Sequence, residues 1–238
     1  MIIDAHTHIN CDELYQERKE IIQRAIDNKV VAVFNTADSL NSFKNIDILQ
    51  KEYPNYCYGV YGIHPEFASS TNFTEVEEEI IKRKNIIKAI GEIGLDYHYP
   101  INETEKNNQK DIFISQICLA KKLNLPIVIH SRDADKGTFD ILCQYAQDMK
   151  VYLHCYSGSY EMAKEYIKKI PNIHFGVGGI VTFKNAKKLV EVVEKIDLKY
   201  FLTETDAPYL TPVPFRGKQN EPCLLYTSPS PRDPKTSR

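Results

Sequence analysis

The chain has 238 residues, of which 42% are hydrophobic and 26% are charged. This composition supplies both a core and surface charge for solubility, and it predicts a globular protein. Lys and Arg number 30 against 32 Asp and Glu, which excludes a broad positive field that could hold a polyanion. A nucleic acid partner would therefore have to be held by local contacts.

The amino terminus, MIIDAHTHIN, has neither a basic start nor a long apolar run, and no stretch has the length and apolar character of a membrane span. We expect a cytoplasmic protein that does not contact membranes, with the nucleus as the alternative for a eukaryotic source. The six cysteines contain no C-x-x-C pair, which argues against a disulfide framework and a zinc ribbon.

Short runs of β-branched or aromatic residues alternate with longer segments of helical period. Eight runs are predicted strands: residues 2–3, 30–34, 56–61, 86–90, 126–129, 151–153, 173–177 and 200–202. Residues 111–123 are predicted to form one of the amphipathic helices between them. Strands that are almost continuously apolar indicate a parallel sheet covered by helices, and eight repeats favour an α/β fold of the (β/α)8 TIM-barrel type.

The end of the chain departs from this pattern. Residues 223–238 contain three prolines and little apolar periodicity, so no eighth helix is predicted after the eighth strand. We therefore expect a barrel over residues 1–222 that lacks its last outer helix, followed by an irregular tail at 223–238. As a hypothesis, the native sequence stops near residue 222.

Asp4, His6 and His8 alternate with small or apolar residues at the first predicted strand. Side chains two residues apart on a strand share a face, so both imidazoles can reach one metal ion. A polar strand start with hydrogen-bonded histidines is the structural alternative, and three such residues on one face argue against it.

Four later strands are each followed by a further potential ligand: Glu92, His130, His154 and Asp206. In a parallel barrel the carboxyl ends of all strands meet on one face, where such enzymes carry their active sites. A buried carboxylate needs a compensating partner, which a metal ion supplies. The sequence therefore predicts a metal site at this rim.

Six motifs carry a resemblance to a known family. They are DAHTHI at 4–9, GIHP at 62–65, GEIGLDYH at 91–98, IHSR at 129–132, HCYSGS at 154–159 and TETDAPYLTP at 203–212. In this order they resemble the TatD family of metal-dependent deoxyribonucleases, over residues 1 to 222. The resemblance implies a hydrolase that acts on the ester bonds of DNA, as a 3′–5′ exonuclease, with magnesium or another divalent ion.

The resemblance also implies roles for residues. His6 and His8 would bind one ion, Glu92 would bridge two, His130 and His154 would bind the second, and Asp206 would complete the first. Two ions (Mg, Mn or Zn), with room for a third, would activate a water whose proton Asp206 accepts, so Asp206 and Glu92 are the predicted catalytic residues. The predicted substrate contacts are His64, Arg132 and Glu204; His64 and Glu204 are alternatively ligands of the third ion.

Two other hypotheses about the function remain. A metal-dependent amidohydrolase or lactonase acting on a small cyclic substrate would use the same barrel and His-x-His start. Many of those enzymes carry a carboxylated lysine at the fourth strand, where this chain has Glu92. The other hypothesis is a scaffold protein that keeps the barrel but has no catalytic activity. The predicted partner is DNA, as single strands or duplex ends, with no organic cofactor and with the oligomeric state unassigned.

Overall fold

Eight parallel strands and the helices between them make up residues 2–227, the part of the chain that this computed structural model describes, with side chains through residue 225. The strands are β1 Ile2–Thr7, β2 Val30–Thr36, β3 Cys57–Tyr61, β4 Ile87–Asp96, β5 Ile127–Arg132, β6 Val151–Leu153, β7 Ile173–Val177 and β8 Phe201–Thr203. The α-helices are α1 Asp12–Tyr15, α2 Arg18–Asp27, α3 Leu40–Glu52, α4 Phe73–Lys82, α5 Glu103–Leu123, α6 Asp135–Tyr145, α7 Tyr160–Lys169 and α8 Lys187–Lys195. Short 3₁₀ helices lie at Pro65–Ser70, Gly179–Thr182, Leu198–Tyr200 and Pro222–Thr227.

Each strand pairs with the next strand in the sequence, from β1 to β8. Hydrogen bonds then join β1 to the end of β8 and the segment after it. The Thr203 hydroxyl donates to the Ile3 carbonyl (3.0 Å), and the Asp206 amide donates to the His6 carbonyl (3.0 Å). The sheet is thus a nearly closed barrel, and the predicted TIM-barrel fold is confirmed.

The core has an outer and an inner part. Between the sheet and the helices, Tyr61 of β3 packs against Phe43 of α3, and Phe113 and Ile117 of α5 are fully buried. A smaller cluster draws one residue from each of β1 to β6 and none from a helix, which indicates that it fills the barrel interior. Its members are Val60, Ala89, Val128 and Tyr152, with Ala5 and Phe34 packed against them.

All eight predicted strands exist, but four extend by two or more residues beyond their predicted carboxyl ends. β1 continues from Ile3 to Thr7, β2 from Phe34 to Thr36, β4 from Ile90 to Asp96 and β5 from Ile129 to Arg132. In each case the added residues include polar ones, so an apolar run marks only the amino-terminal part of the strand. Helix α5 begins at Glu103 rather than at residue 111, because Asn102 and Glu105 form a capping box that starts the helix in a polar segment.

No α-helix follows β8 within residues 204–227, as predicted. Instead the 3₁₀ helix Pro222–Thr227 packs against α2 and the first two strands, and Leu225 in it is buried. The predicted tail at 223–238 therefore begins inside this short helix. Its remainder, residues 228–238, lies outside the described residues. None of the described helices combines the length and apolar character needed to cross a bilayer.

Candidate metal centre

Six side chains meet at the carboxyl end of the barrel. They come from β1, β4 and β5, from the residues directly after β1 and β6, and from the third residue after β8: His6, His8, Glu92, His130, His154 and Asp206. Glu92, His6 and His154 are buried, although the site lies at the mouth of the barrel. The structure thus brings together all six predicted ligands, while their roles as ligands stay predictions.

One cluster consists of His6, His8 and Asp206. The Nε2 atoms of His6 and His8 are 3.1 Å apart, and Asp206 Oδ1 lies 3.6 Å from the first and 3.4 Å from the second. Glu92 Oε2 lies 3.4 Å from His6 Nε2 and 3.7 Å from His8 Nε2. Ligand atoms at zinc–nitrogen and zinc–oxygen bond lengths on a tetrahedral ion would be roughly 3.3–3.6 Å from one another. The observed spacing suits a divalent ion.

A second cluster consists of His130 and His154 and faces the other oxygen of Glu92. Glu92 Oε1 is 2.8 Å from His130 Nδ1 and 2.5 Å from His154 Nε2. The two ring nitrogens are themselves 3.4 Å apart. Glu92 therefore lies between the clusters and presents one oxygen to each. Its contacts with His130 and His154 are hydrogen bonds, which an ion bound at the second cluster would replace.

Neighbouring groups set the orientation of these rings. His8 Nδ1 is 2.9 Å from the Thr36 carbonyl, which can only accept a hydrogen bond. Nδ1 must then carry a proton, and the lone pair of the neutral ring lies on Nε2, toward Glu92 and Asp206. His130 Nε2 is likewise held by Asp96 Oδ2 at 3.0 Å, so that its Nδ1 faces Glu92. A metal-binding histidine usually has such a partner on its other nitrogen.

Asp96 is a residue that the sequence analysis quoted in a motif but did not assign. It is buried, and its backbone amide and carbonyl are both hydrogen bonded to Gln109 of α5. Two residues before it, Gly94 has a φ of +150°, and a Cβ there would lie 1.9 Å from the His130 carbonyl oxygen. Only glycine lets β4 approach His130 this closely. The glycine and Asp96 therefore place His130 together.

The charges of the metal-free cluster are strongly coupled. Burial opposes the charge on Glu92, but His154, His6 and His130 outweigh it and hold the pKa of its carboxyl well below the usual value. Burial lowers the pKa of His6 to about 4. It also opposes the charge on His8 and His130, yet Asp206 raises the pKa of His8 to about 9, and Asp96 and Glu92 raise that of His130 to about 9. The donor set thus supplies anionic oxygens and imidazoles, the chemistry that divalent transition ions and zinc bind.

These pKa values predict how metal binding depends on pH. His8 and His130 must lose their protons before they ligate an ion, so each bound ion displaces a proton at pH 7. The same protons stabilise the metal-free fold, because both rings have a higher pKa in the folded than in the unfolded protein. This stabilisation is complete below their ordinary pKa of 6.5 and is lost as the pH rises through about 9. We expect the association constant for Mn²⁺ to rise across this range by about tenfold per pH unit for each proton displaced. Calorimetry in two buffers of different ionisation enthalpy measures the protons released, and a pH-independent affinity would contradict the assignment.

His64 lies beside the second cluster, with its ring centroid 4.3 Å from that of His130. Its Nδ1 accepts a hydrogen bond from the Glu66 amide (3.2 Å), and its Nε2 is 4.0 Å from Glu92 Oε1. Burial lowers the pKa of His64 to about 4, so the ring is neutral and carries its proton on Nε2. Although His64, Asp96 and His130 have ligand atoms within 4.8 Å of one another, this tautomer favours hydrogen-bond donation by His64 over a third ion.

Glu204 and Arg132, the other two predicted substrate contacts, occupy contrasting positions. Glu204 is 1% exposed, and its oxygens accept hydrogen bonds from the Tyr152 hydroxyl (2.5 Å) and the Cys155 amide (2.6 Å). These hydrogen bonds hold the segment that carries His154. A contact of Glu204 with substrate stays a prediction. Arg132 is exposed at the end of β5, two residues beyond His130.

Asn220 is a residue that the sequence analysis missed. It is completely buried, and its side-chain amide donates to the carbonyls of Thr205 (2.8 Å) and Tyr209 (2.6 Å). Its own backbone amide donates to the Pro208 carbonyl (3.0 Å). These bonds span the turn that carries Asp206. No local pattern marks an asparagine fourteen residues away as its support.

We expect Asn220→Ala to lower the turnover of whatever substrate the enzyme hydrolyses by about 10–100-fold, the usual cost of losing a group that orients a ligand. The reason is that the alanine leaves two buried carbonyls without a donor and releases the Asp206 turn. Asn107→Ala, at an exposed position of α5, is the matched control. Equal activity of the two variants would show that the Asp206 turn holds its shape without Asn220.

Comparison with known proteins agrees with this geometry. Residues 3–228 match the family described as TatD related DNase. An uncharacterized metal-dependent hydrolase of Bacillus subtilis, YabD, is 40% identical over 94% of this chain and 87% of its own length. A second one, from Mycoplasma genitalium, is 36% identical over 92% of this chain and 85% of its own length.

Among solved structures, the TatD homolog YJJV from Escherichia coli superposes with a TM-score of 0.86 and 27% identity, over 95% of this chain and 87% of that one. The family match covers nearly the whole chain, and the relatives and this solved structure agree with it. The chain belongs to the TatD family of metal-dependent hydrolases.

Proposed function

We propose that this hydrolase is a deoxyribonuclease that cleaves phosphodiester bonds of DNA from the 3′ end, using two divalent ions. The observation that carries the proposal is the position of Glu92, which presents Oε2 to His6 and Oε1 to both His130 and His154. Two ions held about 3.5–4 Å apart are typical of enzymes that displace an oxygen at phosphorus. The description of the matching family, TatD related DNase, supports the same class of substrate.

Each part of the reaction has a candidate residue. When bound, the divalent ions would polarise the phosphodiester and lower the pKa of the attacking water. Burial opposes the charge on Asp206, but His8 outweighs it and keeps the pKa of that carboxyl below its usual value, so Asp206 is ionised and can accept the proton of the water. Glu92 keeps the two clusters at a set separation.

The remaining groups would bind the phosphate. The neutral His64 ring directs its Nε2 proton toward the second cluster, where an oxygen of the phosphodiester can accept it. Arg132 offers a planar guanidinium at the rim, which suits a phosphate with two oxygens in reach. Mg²⁺, Mn²⁺ and Zn²⁺ are all compatible with the mixture of imidazole and carboxylate ligands.

The runner-up is an amidohydrolase or lactonase reaction. A solved structure of an organophosphate-hydrolysing protein engineered from a weak promiscuous lactonase superposes with a TM-score of 0.62 at 10% identity. At this identity the match shows a shared fold alone. At the fourth strand of this chain, Glu92 already supplies a carboxylate, so no carboxylated lysine is required there. This difference favours the phosphodiesterase reaction.

The test is hydrolysis of end-labelled single-stranded and duplex DNA with a series of Mg²⁺, Mn²⁺ and Zn²⁺, beside a dihydroorotate-type cyclic substrate. We expect a ladder that shortens from the 3′ end, with metal dependence and with inhibition by a chelator. Release of acid from the cyclic substrate without cleavage of DNA would establish the runner-up instead.

A further inference from the structure

Among the side chains that the structure describes, the exposed tyrosine and phenylalanine rings all lie in loops at the carboxyl ends of the strands. The chain has 15 tyrosines and 10 phenylalanines. Within the described side chains only three are exposed: Phe67 (37%), Tyr99 (58%) and Tyr209 (53%). They follow β3, β4 and β8 respectively, in the loops that begin at the carboxyl ends of these strands. Single exposed apolar groups are common on any surface, but these three rings all follow strands at the end of the barrel that carries the metal centre.

The two more exposed rings follow residues at different clusters, Tyr209 three residues after Asp206 and Tyr99 three residues after Asp96, which contacts His130. The Tyr209 ring centroid is 6.3 Å from that of His8, in the first cluster. Its backbone is held on both sides, because its amide donates to the Asp206 carbonyl (2.8 Å) and its carbonyl accepts from the buried Asn220. Tyr209 is thus a large exposed ring on a rigid support.

Tyr99 lies on the side of the second cluster. The Arg132 guanidinium carbon is 5.7 Å from the Tyr99 ring centroid, within the range of a cation–π contact. The His98 ring meets Tyr99 edge to face at 5.0 Å, and His98 Nδ1 is 2.8 Å from Asp133 Oδ2. Tyr99 therefore belongs to a connected group that includes Arg132, two residues beyond His130.

We propose that Tyr209 and Tyr99 stack on the two nucleobases that flank the scissile phosphate, Tyr209 on the His8 side and Tyr99 on the His130 side. This inference rests on the proposed function, and it adds the part of the site that binds nucleosides rather than phosphate. Every nucleobase has a flat π face, so stacking on tyrosine is tolerant of sequence.

The charge balance of the chain strengthens the argument. With 30 Lys and Arg against 32 Asp and Glu, the chain has no excess of positive charge to attract the DNA backbone over a broad surface. Stacking on tyrosine binds nucleotides without net positive charge, so it can add to the local contacts at the metal centre. Arg132, next to Tyr99, adds a cation that can contact the DNA backbone.

The experiment combines changes in the protein with changes in the DNA. Tyr209→Ala, Tyr99→Ala and Tyr209→Phe are assayed with the full metal complement on a single-stranded oligonucleotide, and on the same oligonucleotide with abasic sites on both sides of the scissile phosphate. Leu198→Ala, an exposed residue before β8, is the control. Metal content and thermal unfolding are measured for each variant.

On the normal oligonucleotide we expect each alanine variant to raise KM by about tenfold, with kcat and metal content little changed. On the abasic oligonucleotide the same variants should equal the wild-type protein, because the partner of each ring is already absent. Tyr209→Phe and Leu198→Ala should behave like the wild-type protein on both.

Three results would overturn the inference. Alanine variants that lose as much activity on the abasic as on the normal oligonucleotide do not act through the bases. A Tyr209→Phe variant as weak as Tyr209→Ala assigns the effect to the hydroxyl rather than to the ring. A wild-type protein that cleaves neither oligonucleotide with any of the metals overturns both this inference and the proposed function, whereas the first two results leave the proposed function intact.

Discussion

Replacing Glu92 with glutamine is expected to lower the proposed DNA hydrolysis by about a hundredfold or more, because it disturbs both clusters of the centre at once. Glu92 is 3% exposed, and its two oxygens face three histidine nitrogens at 3.4, 2.8 and 2.5 Å. The amide has no negative charge and directs two N–H donors at positions that need an acceptor. We therefore expect less than the full metal content together with the loss of turnover.

The measurement is kcat/KM on end-labelled DNA, with bound metal determined on the same sample. Glu78→Gln is the matched control, since Glu78 is exposed on α4. His6→Ala should resemble Glu92→Gln, because it removes a nitrogen from the first cluster. Turnover near the wild-type level in both site variants would count decisively against a metal centre formed by these residues.

Replacing Asp206 with asparagine is expected to lower kcat by about 100- to 10,000-fold, the range for loss of a positioned general base. Asparagine keeps the shape of the side chain and an oxygen that can face His8, but it cannot take a proton from water. Because the pKa of Asp206 is below its usual value, the carboxylate of the wild-type protein is ionised at neutral pH and can take this proton.

The two roles of Asp206 can be separated experimentally. If Asp206 acts as the base, metal content changes little while kcat falls, and added metal does not restore it. If it acts only as a ligand, excess Mn²⁺ should restore turnover. Asp197→Asn is the control, since the side chain of Asp197 is 61% exposed beside the 3₁₀ helix that precedes β8. An Asp206→Asn variant with the wild-type kcat would remove Asp206 from the mechanism.

Much of the fold could be predicted from local patterns, and the misses have physical causes. The apolar runs at β5, β6 and β7 are buried almost throughout, so they mark their strands well. The upper parts of β1 and β4 are polar, because these segments carry the centre, and an apolar pattern ends too early there. The polar first turns of α5 were missed for a related reason, since a capping box rather than apolar periodicity starts that helix.

For the site, residue types and strand ends were sufficient to select His6, His8, Glu92, His130, His154 and Asp206. The residues that orient these side chains could not be selected from residue type and strand ends. Asp96 holds His130 across two neighbouring strands, and Asn220 holds the Asp206 turn from a loop without regular structure. Such contacts depend on which segments become neighbours in space, and no spacing along the chain encodes them.

By itself the sequence determined the alternation of strands and helices and the kinds of ligand at the strand ends, because periodicity and strand order are local properties. Only the tertiary structure decided that Glu92 divides its oxygens between two clusters, that Glu66 sets the tautomer of His64, and that Tyr99 and Tyr209 stay exposed at the rim. These features arise when β8 closes on β1 and all the strand ends face one another, since distances between groups far apart in the chain are defined only then.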